Sequence, residues 1–137
     1  MVKNRNVRLI AIVLVFMLCV CIVYTIFYPR TRIYAKTARL VYLYTDREID
    51  IQLSSEESLI VKTVLNGKRQ YSIPLFGEPS CGFSEDVSIR FGELVFCIAC
   101  DHCGIIKLGN RYIYISETER ELINRIFEKY GGSFPCV

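Results

Sequence analysis

The sequence has one histidine, and that scarcity limits its chemistry before anything else does. Histidine is the side chain that most readily exchanges protons near neutral pH, so all such work would fall to His102. No Ser-His-Asp arrangement has local support, no glycine-rich loop is placed to cradle phosphate, and no internal repeat or low-complexity tract divides the chain. Lysine and arginine exceed aspartate and glutamate by only 17 to 14, and the excess flanks one apolar run rather than forming a nucleic-acid-binding stripe. These absences tilt the reading away from an enzyme and away from nucleic acid.

What is abundant is apolar sequence at the N-terminus. From Leu9 to Tyr28, LIAIVLVFMLCVCIVYTIFY carries no charge, and 13 of its 20 residues are Leu, Ile, Val or Phe. As a helix rising about 1.5 Å per residue it spans roughly 30 Å, the thickness of one hydrocarbon core. A buried core helix would show a polar stripe at a period of 3.6, and this run has none. A cleaved signal peptide would be shorter and would end in small residues, whereas this run meets Phe27, Tyr28 and Pro29. Cys19 and Cys21 each follow a large residue, which argues against lipoprotein processing and for apolar positions in the helix.

The expected organisation is a basic tail 1–8, a transmembrane helix 9–28, a juxtamembrane linker 29–37 and a soluble domain 38–137. Lys3, Arg5 and Arg8 precede the span, and Arg30, Arg32, Lys36 and Arg39 follow it, so the positive-inside count is nearly balanced. The short tail is the easier side to retain, which favours N-in and an extracytoplasmic domain. The net charge of +3 then lies beside the membrane, where it attracts anionic headgroups.

The domain reads as α+β. ARLVYLY (38–44) is β-branched and aromatic, and REIDIQL (47–53) alternates Ile49, Ile51 and Leu53 with Glu48, Asp50 and Gln52, giving an N-terminal strand pair. Ser54 with Glu57 is a capping box opening a helix over 55–66, with Leu59, Ile60, Val64 and Leu65 as its apolar stripe. Residues 70–80, holding Pro74, Gly77 and Pro79, are expected to be irregular around one short edge strand. Between 86 and 115, two Gly-X turns at Gly92 and Gly109 predict a four-stranded antiparallel meander. Ser116 with Glu119 opens a second helix whose stripe is Leu122, Ile123, Ile126, Phe127 and Tyr130. Two amphipathic helices thus cover one face of an antiparallel sheet.

Residues 97–104, CIACDHCG, hold three cysteines in a C-x-x-C-x-x-C run. Strand alternation assigns Cys97 to packing as a small apolar side chain. Hairpin parity returns Cys81 to the same end of the sheet as Cys100 and Cys103, and six extended residues, GGSFPC, can carry Cys136 back over roughly 20 Å. Cys81, Cys100, Cys103 and Cys136 then admit two chemistries. They suit a tetrahedral zinc site, with Cys100 and Cys103 as the knuckle and His102 as an alternative ligand. They equally suit disulfides, pairing Cys81 with Cys136 or with a knuckle cysteine, an arrangement favoured outside the cytoplasm. An iron–sulfur site lacks a fitting fourth cysteine. Thiol-redox catalysis would want C-x-x-C at a helix start, whereas here it joins two strands. The acids at 46, 48, 50, 56, 57, 85 and 86 read as polar surface, and Tyr112 and Tyr114 as a sheet face packed against a loop or the membrane surface.

The segments PSCGFSEDVSI, ACDHCG and YGGSFPCV resemble uncharacterised small membrane-anchored proteins of Gram-positive bacteria. The resemblance implies a membrane anchor and carries no activity with it. The function expected is that of a single-pass membrane protein presenting a small, non-enzymatic domain that binds a protein or ligand. The competing class is a zinc-binding or thiol-redox module using Cys81, Cys100, Cys103 and Cys136.

Overall fold

The computed structural model describes residues 2–44, 46–75, 77, 79–80, 82–101 and 103–136, with side chains from residue 6 onward. The apolar run forms α1 (Val2–Phe27), which reaches further toward the N-terminus than residue 9 because nothing in 2–8 breaks a helix. It stops ahead of Pro29, whose ring disfavours helical geometry in the residue before it. This helix is long and apolar enough to cross a membrane, and none of its most apolar stretch is covered by the rest of the chain.

The remainder builds one seven-stranded antiparallel sheet. Its strands are β1 (Arg39–Tyr44), β2 (Arg47–Gln52), β3 (Gln70–Tyr71), β4 (Val87–Phe91), β5 (Leu94–Ile98), β6 (Ile105–Leu108) and β7 (Arg111–Tyr114), in the spatial order β2-β1-β4-β5-β6-β7-β3. The expected meander is therefore present as β4 to β7. The N-terminal pair joins it through β1, with Leu40 opposite Ile89, and β3 closes the far edge against β7.

Because successive strand residues face opposite ways, one set forms a continuous apolar face. Leu40, Tyr42, Val87, Ile89, Phe91, Phe96, Ile98, Ile106 and Ile113 belong to a single buried cluster. Across it lie α2 (Ser55–Leu65) and α3 (Glu117–Lys129), each opened by the expected capping box. The chain after α3 folds back under the same roof. Phe134 meets Phe127 edge-on with ring centroids 5.2 Å apart, and Tyr42 donates its hydroxyl to the Ser133 carbonyl at 3.0 Å.

Two helix stripes differ from expectation. On α2 the buried positions are Glu57, Ser58, Val61, Val64 and Leu65, while Leu59 is 64% exposed and Ile60 sits at the rim. Leu59 and Val61 are about 200° apart around a helix, so only one can face the sheet. Glu57 decides which, because its carboxylate is drawn inward to the end of α3 by Lys129 and Tyr130. On α3, Leu122 is partly exposed and Arg120 takes a buried place beside Ile123 and Phe127.

The linker 29–37 is part of the fold rather than a loose tether. Thr31 and Ile33 are buried, and Thr31 exchanges main-chain hydrogen bonds with Lys68 and Gly67 at 2.8 Å each. The Ile33 N–H donates to the Asn66 side chain at 2.9 Å. The segment after β3 drapes over the sheet face opposite the helices: Phe83 packs on Tyr112 with centroids 6.0 Å apart, and the Leu75 N–H donates to the Tyr114 hydroxyl. Tyr112 and Tyr114 thus meet a loop, one of the two surfaces expected for them.

Glu57 joins the two helices. Besides capping α2, its carboxylate accepts from Lys129 Nζ at 2.6 Å and from the Tyr130 hydroxyl at 2.8 Å. The Lys129 hydrogen bond leads the causes that outweigh burial and hold the Glu57 carboxyl down at about 2 against an ordinary 4.5. A depressed carboxylate stabilises the fold fully above its unfolded value and loses that contribution as pH falls toward the folded one. Glu57→Gln is therefore expected to lower stability by about 1–3 kcal/mol near neutral pH. Denaturant titrations at about pH 7 and about pH 3 check this: the mutant's deficit should shrink by more than half in acid, and an equal deficit at both refutes the assignment.

Candidate functional site

The β4–β5 and β6–β7 hairpins share one end of the sheet, so the connection 99–104 between β5 and β6 lies at the other. Gly104 stands just before β6, where a Cβ would collide with the Ile115 carbonyl, so a side chain is excluded there. The tail arrives at this end too. The Cys136 N–H donates to the Cys100 carbonyl at 3.0 Å, and the two side chains form a disulfide with Cα atoms 5.0 Å apart.

Of the four expected site cysteines, Cys100, Cys103 and Cys136 are thus brought to one end, and Cys81 lies outside the described residues, as does His102. The pairing differs from the ones expected, which all used Cys81. The main-chain hydrogen bond explains it, since docking the tail edge-on to residue 100 sets those two Cβ atoms face to face. In this bonded form neither Cys100 nor Cys136 offers a thiolate, and the tetrahedral zinc set would require the bond reduced. Among the described residues no group of three or more His, Cys, Asp or Glu side chains is arranged to hold a metal ion.

Asp101 organises what surrounds the disulfide. Its carboxylate accepts from the Cys103 N–H at 3.0 Å and from the Ser80 N–H at 3.1 Å, tying the irregular segment to the knuckle. Burial opposes its ionisation, but these donors and the Cys103 thiol more than offset that, so its pKa falls below the ordinary value. The Cys103 thiol is half-buried and moves the other way. Burial first, then donation to Asp101, pushes it up to about 11, leaving it protonated and weakly nucleophilic at neutral pH.

Arg120 was invisible to the sequence as a site residue, since it sits among Glu117, Glu119 and Glu121 and reads as surface. Its spacing of three from Ile123 was the available signal. The side chain is 3% exposed, and Nη2 donates to the carbonyls of Ala99 at 2.7 Å and Asp101 at 3.0 Å. Its guanidinium lies 4.6 Å from the centre of the Phe134 ring, beside the tail that carries Cys136. Burial lowers its pKa, though a guanidinium stays charged across the accessible range. Arg120 thus pins the knuckle's backbone from the helix side.

Compared with models of known protein families, with curated proteins and with solved structures, the chain matches none. The chemistry of this end rests on its own geometry. That geometry is structural: a covalent tie, a buried cation on two carbonyls, and a thiol held protonated.

Cys97 stays out of the cluster, as alternation requires. It is buried, but on the face opposite the helices, between Ser88 and Lys107, and burial raises its thiol pKa. There it lines a shallow groove of about 590 Å³ with Phe83, Val95, Lys107 and Leu108. Of the acids expected on the surface, Asp50 pairs with Arg39 and Glu85 with Arg90, whereas Glu57 departs from that expectation, being buried where Lys129 and Tyr130 donate to it.

Closing a loop of 36 residues, the disulfide should contribute about 3–4 kcal/mol. Cys100→Ser and Cys136→Ser are expected to lose that amount in denaturant titrations, and Cys103→Ser under about 1 kcal/mol. Alkylation followed residue by residue with mass spectrometry gives a second check. At about pH 8, Cys103 should react roughly 100-fold more slowly than an unperturbed thiol, and a rate equal to that thiol's contradicts its burial against Asp101.

Proposed function

We propose that the chain is a single-pass membrane protein whose uncleaved α1 anchors a non-enzymatic α+β domain outside the cytoplasm, where the domain binds a protein or ligand. The observation that carries this reading is a bare apolar helix whose C-terminal end is gripped by the folded domain. Arg111 Nη1 donates to the Phe27 carbonyl at 3.0 Å, and Tyr28 packs at a tilt against Tyr71 with centroids 5.4 Å apart. A leader removed on export would have no use for such contacts.

The Cys100–Cys136 bond supports an oxidising compartment, and hence the N-in orientation suggested by the short tail. The resemblance of three segments to membrane-anchored proteins agrees with it. Against thiol-redox catalysis stands the protonated Cys103, and against acid–base catalysis at this end stands an Asp101 pKa moved away from neutrality. For binding, the groove beside Phe83 and Lys107 supplies a concave surface with both apolar and charged walls.

Two measurements test the proposal. Alkaline carbonate should leave the full-length chain in the membrane, and a membrane-impermeant maleimide should label Glu48→Cys, an exposed edge-strand position, in intact cells. Extraction, or a product shortened by the length of α1, overturns the anchor; labelling only after lysis overturns the orientation. Metal analysis with thiol counting on the purified chain decides the competing class. Stoichiometric zinc with every thiol free would replace the binding domain by a zinc module built on Cys81, Cys100, Cys103 and Cys136.

A further inference from the structure

The end of the domain that meets α1 is cationic and carries a built cavity. A hollow of about 290 Å³ is lined by Thr25, Tyr28, Pro29, Arg30, Arg32 and Arg69, with no acidic side chain in its wall. Two of its three arginines are fixed in place. Arg69 Cζ sits over the Tyr24 ring, 4.2 Å from its centre, and Arg30 Nη1 donates to the Gly67 carbonyl at 3.1 Å. Arg32 is exposed at the rim, and Arg111 stands nearby on the Phe27 carbonyl. None of these four guanidiniums meets a carboxylate among the described residues, although Lys68, Arg39, Arg90, Arg125 and Lys129 all do.

Depth along α1 says what this hollow faces. Counting about 20 residues from Leu9 exhausts a hydrocarbon core of roughly 30 Å at Tyr28, so residues 28–32 lie at the headgroup level and Tyr24 about 6 Å beneath it. Tyr24 and Tyr28, one turn apart with centroids separated by 5.2 Å, have the amphipathic character of interfacial anchors. A phosphate group at that level would meet forked guanidinium donors that have no protein anion to satisfy them.

We propose that Arg30, Arg32 and Arg69, with Tyr28, form a binding site for the phosphate of an anionic lipid headgroup at the membrane surface. The site rests on the reading of α1 as a membrane anchor. Its role is to hold the domain down on the bilayer in a fixed orientation, with the cysteine end pointing away.

The test uses the full-length chain in vesicles of equal phosphatidylcholine and phosphatidylglycerol, released for native mass spectrometry. Wild type should retain phosphatidylglycerol over phosphatidylcholine, each arginine contributing about fivefold. Arg30→Gln/Arg32→Gln/Arg69→Gln together should abolish the preference, and Arg32→Gln alone, a surface change that leaves folding intact, should reduce it about fivefold. Arg39→Gln, which removes an arginine paired with Asp50 elsewhere, should leave the preference unchanged. Equal retention of both lipids by wild type overturns the site. So does an equal loss in Arg39→Gln, which would mean net charge alone, and so does displacement of the lipid by millimolar inorganic phosphate, which would mean a free-anion site. Carbonate extraction of the same vesicles separates the two readings. A chain that stays in the vesicles without lipid preference overturns only the site, whereas a chain that washes out overturns the anchor as well.

Discussion

The inner face of the sheet stays dry only while α2 and α3 lie across it, and most of the molecule is arranged to keep them there. Tyr42, Phe96, Ile98 and Ile113 have almost no exposed surface, so lifting either helix would return a large apolar area to water. The polar contacts of the fold stand at the margins of that roof. Glu57 binds the C-terminal end of α3 to the start of α2, Lys68 reaches both oxygens of Glu119 at the other end of α3, and Ser58 accepts from the Ala38 N–H where β1 begins. Each is a charge or hydroxyl placed where burial would otherwise leave a backbone or side-chain group without a partner.

The same sheet sets a direction. Tight hairpins at Gly92 and Gly109 force the wider connection, 99–104, to the opposite end, about 17 Å away for strands of five residues. Everything tied to α1 lies near the hairpins: Arg111 on Phe27, Tyr71 on Tyr28, and Arg69 on Tyr24. Everything tied to the disulfide lies at the other end. The cationic groups and the sulfur chemistry are therefore separated by strand parity rather than by any domain boundary.

Much of this was legible in the sequence because it is written in local terms. The capping boxes at Ser54 and Ser116, the alternation in 47–53 and 87–91, and the Gly-X turns each depend on residues within a few positions of one another. What escaped depends on partners far along the chain. Whether Leu59 or Val61 faces inward is decided by Lys129 and Tyr130, which donate to the Glu57 carboxylate. Whether 29–37 is a tether or a packed segment is decided by hydrogen bonds to 66–70. Arg120 is buried because two carbonyls of the knuckle need a donor, and nothing in its neighbours announces that. At the site, parity placed Cys81 beside Cys100 and Cys103 and tail length brought in Cys136; Cys81 lies outside the described residues, and the Cys100–Cys136 pairing accompanies one main-chain hydrogen bond that spacing does not encode.

The covalent link between Cys100 and Cys136 also fixes how the chain would carry tension. A pull applied at the C-terminus enters the backbone at Cys100 and runs along the main chain through β5, β4, β3, α2, β2 and β1 to α1, bypassing the closed loop that contains β6, β7 and α3. The helix α3, with β6 and β7 beneath it, therefore lies off the covalent line of load, while α2 and the first strand pair lie on it.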